Sequence, residues 1–133
     1  MKKAPHLCPC GSDLPYANCC QPWHGGQAAP TPEALMRSRY SAFVLEREQY
    51  LLDTWHAAHR PASVEFDPQT RWLGLEIRKY RLIDSDHAEV EFVARNRLAG
   101  RALRLHEVSR FVRQGDRWFY VDGDVRGARE AAH

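Results

Sequence analysis

LRLHEVSRFVRQGDRWFYVDG, residues 103–123, reads as two β-strands meeting at a tight turn, because apolar and polar residues alternate along much of both arms. Gln114-Gly115 fits the two-residue loop, with the glycine supplying the positive φ that primed turns require. That loop fixes a register in which Arg113 faces Asp116, Phe111 faces Trp118, Ser109 faces Tyr120 and Glu107 faces Asp122. The opposite face carries Arg104, His106 and Arg110, a solvated pattern. The core-facing row then runs Leu103, Leu105, Glu107, Ser109, Phe111, with two polar residues in an apolar series. Buried polar groups need partners or a wet cavity, and opposed carboxylates repel unless a proton or a cation intervenes. The pattern predicts a polar pocket lined by Glu107, Ser109, Tyr120 and Asp122.

Upstream, the same period of two continues. Leu73, Leu75 and Ile77 alternate with Gly74, Glu76 and Arg78, and Val90, Phe92 and Ala94 with Glu89, Glu91 and Arg95; turn-like DSD and LAG separate the strands. Earlier still the period is helical, through Leu35, Met36, Arg39, Tyr40, Phe43 and Val44. Thr31 can cap this helix, Pro32 suits its first position and Glu33 suits the positive end of its dipole. Leu51, Leu52 and Trp55 predict a second helix, with Tyr50 at its edge, ended by Arg60-Pro61. Two helices followed by an antiparallel meander make an α+β fold with the helices over one face of the sheet. Arg37 and Arg39 sit two apart on the helix and point to different sides. One is expected to reach the pocket as counter-charge, with His56 as another source, and the other to be solvated. Tyr40 is a further pocket candidate, although it and Trp55, aromatic residues at helical spacing, read first as core. His56 and His59 suggest no further ligands with which to build a metal site.

All four cysteines fall within the first twenty residues, in CPCGSDLPYANCC: Cys8, Cys10, Cys19 and Cys20. The opening MKKAPHLCPC has no apolar h-region and no small-residue cleavage site, and no apolar run approaches the roughly 18–20 residues of a transmembrane helix. A cytoplasmic chain with reduced thiols is expected, and four crowded thiols then suit a structural Zn²⁺ bound tetrahedrally. Iron suits four thiolates equally well. His24 is a fifth candidate ligand that four thiolates leave as a bystander, while His6 and Trp23 flank the cluster. Residues 1–27 carry almost no hydrophobic periodicity, so metal ligation would have to fold them. The connector GGQAAPTP, residues 25–32, has no large apolar residue, which predicts that 1–27 and 28–133 are energetically separable units.

With 133 residues and ordinary apolar content, the chain can form one core, with little left for a second domain. A net charge of +2, with both signs interspersed, disfavours a phosphate-backbone partner. No P-loop, G-x-G-x-x-G or H-E-x-x-H occurs, so nucleotide-binding and metalloprotease signatures are absent.

CPCGS…CC resembles the SEC-C motif, C-x-C-x8-C-[HC], a small zinc-binding knob, and matches it at all four ligand positions. The whole chain is similar to the YchJ-type family of bacterial proteins. The likeness runs through LMRSRYSAF at Leu35 to Phe43, TWH at Thr54 to His56, WLGL at Trp72 to Leu75, FVAR at Phe92 to Arg95, SRF at Ser109 to Phe111 and W-x-Y-x-D-G at Trp118 to Gly123. The resemblance implies a nuclear-transport-factor-2-like body, a curved antiparallel sheet forming a cone with helices over its mouth. It brings no established activity. SEC-C knobs usually carry lysines before the second cysteine pair, a basic surface suited to ribosomal or acidic protein partners. Here Asp13 to Asn18 contains no base, which weakens electrostatic docking and leaves metal binding intact. Many relatives carry a second knob at the C-terminus; GDVRGAREAAH has no cysteine, so a two-knob bridge is not expected.

Two functions compete. The first is a zinc-stabilised interaction module whose knob touches a protein partner and whose cone takes a small ligand or a partner, since four protein ligands leave no open metal position for catalysis. The second is a small acid–base enzyme, isomerase- or dehydratase-like, using Glu107, Asp122 and Tyr120 with pKa values pushed apart by an apolar site. A zinc-knuckle nucleic-acid binder is disfavoured by the weak charge, and no membrane association is expected.

Overall fold

A computed structural model describes residues 7–130 of the chain; His6, expected beside the cysteines, lies outside the described residues. Strands β1 (Thr70–Asp84), β2 (His87–Leu98), β3 (Arg101–Gln114) and β4 (Arg117–Glu130) form an antiparallel meander in sequence order. A short 3-10 helix (Tyr16–Asn18) and three α-helices precede them: α1 (Gln21–His24), α2 (Pro32–Leu45) and α3 (Glu48–Asp53). This is the expected α+β arrangement of helices on one face of a curved sheet.

Helix α2 starts as its sequence dictates. The Thr31 hydroxyl accepts from the Ala34 amide at 3.0 Å, and Pro32 occupies the first position, where no amide proton is needed. Helix α3 stops at Asp53, well before Pro61, because Thr54 turns its hydroxyl back to the Tyr50 carbonyl at 2.7 Å. The freed backbone of residues 54–56 then hooks onto β4: the Tyr120 amide donates to the Thr54 carbonyl at 2.8 Å, and the His56 amide to the Tyr120 carbonyl at 2.7 Å. Trp55 therefore reaches the interior from an extended segment.

The β3–β4 hairpin differs from its expected register. Its loop is Gly115-Asp116, with φ of 59° and 64°, since a primed turn needs positive φ at both central residues and Asp tolerates that better than Gln. Phe111 consequently pairs with Tyr120, and Arg113 with Trp118. A bulge follows: Val121 is the extra residue, so Arg110 pairs with Asp122, Ser109 with Gly123 and Glu107 with Val125. Past the bulge, inward and outward positions of β4 exchange, which turns Asp122 to the outer face. A second bulge, between Trp72 and Gly74, leaves Leu73 exposed where the alternation had placed it inside, and Trp72, Leu75 and Ile77 pack against the core instead.

The core joins Leu35, Met36 and Tyr40 of α2 to Val90, Phe92, Ala94 and Phe111 of the sheet. Cys8, Cys10 and Cys20 belong to the same cluster. The outer face is less solvated than its sequence suggests. Val93 is fully buried there, among side chains tied together by pairs such as His106–Glu91 (2.7 Å) and Arg95–Glu76 (3.2 Å).

Candidate metal centre and inner cavity

The four cysteine sulfurs all lie within 4.8 Å of one another, and none is in a disulfide. Two pairs show the spacing closely: Cys10–Cys19 at 3.5 Å and Cys19–Cys20 at 3.9 Å. A tetrahedral ion with sulfur at about 2.3 Å needs sulfurs roughly 3.8 Å apart, so the donor set fits a metal without rearrangement. The thiols' electrostatics agree. Hydrogen bonds from Cys20 and Cys8 hold Cys10 far below the ordinary thiol range, while the same contacts push Cys20 up and burial pushes Cys19 up to about 11. One thiolate is thus stabilised by its neighbours' protons, the role a cation would take over for all four.

The chain builds this cage from turns. Gly11, at φ +83°, bends the loop after Cys10 and lies against the Leu75 carbonyl of β1, where an added Cβ would sit 3.5 Å from that oxygen. Outer contacts fix the sulfurs: the Ser12 hydroxyl lies 3.0 Å from Cys19 Sγ, and the Ser41 hydroxyl lies 3.3 Å from Cys8 Sγ and donates to Cys20 Sγ at 3.4 Å. Arg37 is not simply solvated. Its Nη1 donates to the Cys10 carbonyl at 3.0 Å while its Nε pairs with Glu33 at 3.1 Å. His24 is no ligand. It brackets the knob to α2, with Nε2 at 2.8 Å from the Ser38 carbonyl and Nδ1 at 2.6 Å from the Tyr16 hydroxyl. A carbonyl can only accept, so Nε2 carries the proton, Nδ1 accepts from Tyr16, and burial keeps the ring neutral. The knob is therefore packed into the body, contrary to the independence expected from its connector.

Between α2 and the sheet lies a cavity of about 230 Å³. Tyr40, Trp55, Trp72 and Phe92 give it aromatic walls, and Arg39, Glu107, Ser109 and Tyr120 bring polar groups. Ser109 donates to Glu107 Oε2 at 2.6 Å, and the Tyr120 hydroxyl lies 3.4 Å from the same oxygen. The Glu107 carboxyl also lies across Gly123, where a Cβ would approach Cδ to 2.6 Å. Arg39 is only 3% exposed. Its guanidinium donates to the Leu51 carbonyl at 2.8 Å and the Thr54 hydroxyl at 2.7 Å, and it lies 4.5 Å from the Tyr120 ring and 5.0 Å from that of Trp55. Burial lowers its pKa to about 10, which still leaves it charged, and burial raises Tyr40 to about 12. The Trp55 Nε1 is buried without a hydrogen-bond partner.

Of the residues expected in the pocket, Arg39, Tyr40, Glu107, Ser109 and Tyr120 come together. Asp122 does not: on the outer face its carboxylate accepts from Arg110 Nε at 2.6 Å, and Arg110 clasps Asp124 with its other nitrogens. His56 stands outside as well, 3.1 Å from Gln114. The sequence pattern does not single out Ser12, Ser38 or Ser41, which contact the knob or α3. Ser38 and Ser41, three apart on α2 and fully buried, are the signal that this helix turns a polar stripe toward the knob.

A cysteine cage docked on a small α+β cone defines a SEC-C protein with a nuclear-transport-factor-2-like body, and sequence comparison agrees. Residues 7–22 match the SEC-C motif, and residues 31–123 match the family described as YchJ, middle NTF2-like domain. The chain belongs to the YchJ (UPF0225) family. It is 58% identical over 130 residues to a UPF0225 protein of Polaromonas naphthalenivorans, covering 88% of this chain and 96% of that one. It is 61% identical over 127 residues to one of Methylibium petroleiphilum, with coverage of 93% and 92%. Two solved SEC-C motif containing proteins share the fold at 31% identity. That from Rhodopseudomonas palustris has a TM-score of 0.79 over 91% of this chain and 99% of its own, and that from Psychrobacter arcticus 0.76 over 92% and 84%.

Proposed function

We propose that this chain is a zinc-braced binding module. A structural zinc on Cys8, Cys10, Cys19 and Cys20 holds the knob against α2, and the inner cavity receives a small molecule with an apolar body and one hydroxyl-like end. The observation that carries this reading is the cavity's composition. Aromatic walls surround one carboxylate, and a buried Trp55 N–H has no partner, so a hydroxyl that donates to Glu107 and accepts from Trp55 would satisfy both. Zinc is favoured over iron because four protein thiolates with no open position make the closed site typical of structural zinc. The knob is also the surface for a protein partner: Leu7 and Leu14 are 56% and 49% exposed, side by side with the bridge that ties Leu7 to Pro15.

The acid–base enzyme is the weaker reading, since Asp122 on the outer face leaves Glu107 and Tyr120 without the second carboxylate. Titration of isotopically labelled protein with 2-naphthol tests the binding site. Chemical-shift changes should concentrate at Trp55 Nε1, Ser109 and Tyr120 and vanish in Glu107→Ala. Shifts spread over the outer face, or none at all, would defeat the cavity as a binding site.

A further inference from the structure

A second, larger cleft of about 380 Å³ opens on the other side of α2, where the knob, α3 and the tip of the β3–β4 hairpin meet. Its apolar floor comes from Leu35, Trp23 and Trp118, with Tyr50 beside them, and Arg47 and Arg117 stand in its lining. Neither arginine forms an ion pair among the described residues. Arg117 donates to the Gly26 carbonyl at 3.3 Å, and the Arg47 charge lies close enough to the Tyr16 hydroxyl to act on it. The only carboxylate in the lining, Asp53, is held by the Gln49 amide at 2.7 Å. His24, also in the lining, has its pKa lowered by burial and both ring nitrogens engaged by Ser38 and Tyr16. The cleft thus combines a net positive rim with three large aromatic rings, and its volume falls within the roughly 300–1,000 Å³ of small-molecule sites.

We infer that this cleft binds an aromatic anion, a flat ring bearing a phosphate, with the ring against Trp23, Trp118 and Tyr50 and the phosphate between Arg47 and Arg117. Guanidinium groups without carboxylate partners are suited to bidentate capture of phosphate, and indole and phenol faces stack on heteroaromatic rings whatever their substituents. The site is separate from the inner cavity, and each holds two of the chain's four tryptophans: Trp23 and Trp118 here, Trp55 and Trp72 there. Six of its fourteen lining residues come from 23–29, so it exists only while the knob is docked.

The test is calorimetric titration of the full chain with AMP, adenosine and inorganic phosphate, with tryptophan emission as a second readout. AMP should saturate one site and bind about tenfold or more tightly than either fragment alone. Arg47→Ala with Arg117→Ala should weaken AMP by at least about tenfold. Asp53→Asn should tighten it by about threefold, a gain that misfolding cannot produce. Arg81→Ala with Arg126→Ala, the same loss of two charges on the outer face, should leave the affinity as it was. No saturable AMP binding below about 1 mM, or a double arginine variant within twofold of wild type, would overturn the site. Phosphate binding as tightly as AMP would overturn its aromatic half, and adenosine doing so its anionic half.

Discussion

At Gly123 one hydrogen atom makes room for a carboxylate. The Glu107 side chain lies across that backbone, and any Cβ there would collide with it. Gly123→Ala should therefore destabilise the fold by about 1–3 kcal/mol, the usual cost of overpacking. In a Glu107→Ala background the same change should cost almost nothing, and equal costs in both backgrounds by chemical denaturation would show that the two residues do not touch. Arg39 carries a second prediction at this scale. Arg39→Met keeps the length and apolar contact but leaves the Leu51 carbonyl and the Thr54 hydroxyl without their donor. A loss of about 3 kcal/mol is expected, and thermal or urea unfolding measures it. Glu107, Ser109 and Tyr120 were legible in the sequence because polar residues interrupted inward positions of an apolar row. The roles of Arg37, Ser38 and Ser41 were not, because they depend on which face of α2 the knob covers, and no periodicity encodes that.

Among the elements, the strands followed from alternation and the turns from Gly and Asp chemistry, but bulges escaped both. Val121 looks like any outward strand residue, yet as the extra residue of the bulge it moves Asp122 from the cavity to Arg110. The end of α3 escaped for a similar reason: Thr54 satisfies its hydroxyl locally and releases Trp55 and His56 to pair with β4, a tertiary bond that outweighs helix propensity. The β2–β3 turn offers an element-scale test. Ala99 sits at φ 51° ahead of Gly100 at 84°, a left-handed conformation that costs an alanine roughly 1 kcal/mol. Ala99→Asn creates the Asn-Gly pair that such turns prefer, and should raise stability by about 0.5–1 kcal/mol, seen as a higher melting temperature. A neutral or lowered melting temperature would mean that the turn is not of this type.

At the scale of the molecule, knob and body share one core. Cys8, Cys10 and Cys20 pack with Leu35, Met36 and Tyr40, so deleting residues 1–27 should expose α2 and lower the melting temperature of the whole chain rather than remove a separate transition. Acidity should act on the same joint. Burial holds the His24 pKa below its unfolded value of about 6.5, so the unfolded chain takes up the proton first. Docking is then fully favourable above about pH 6.5 and weakens as the pH falls below it. His24→Asn should flatten that part of the stability–pH curve, and an unchanged slope would place the titration elsewhere. The central claim is that four thiolates hold one ion that braces the fold, and native mass spectrometry of protein purified without chelator tests it most directly. The predicted result is one zinc per chain, lost together with cooperative unfolding in Cys19→Ser. A chain at its bare polypeptide mass, with four alkylatable thiols and an undiminished melting temperature, would contradict it.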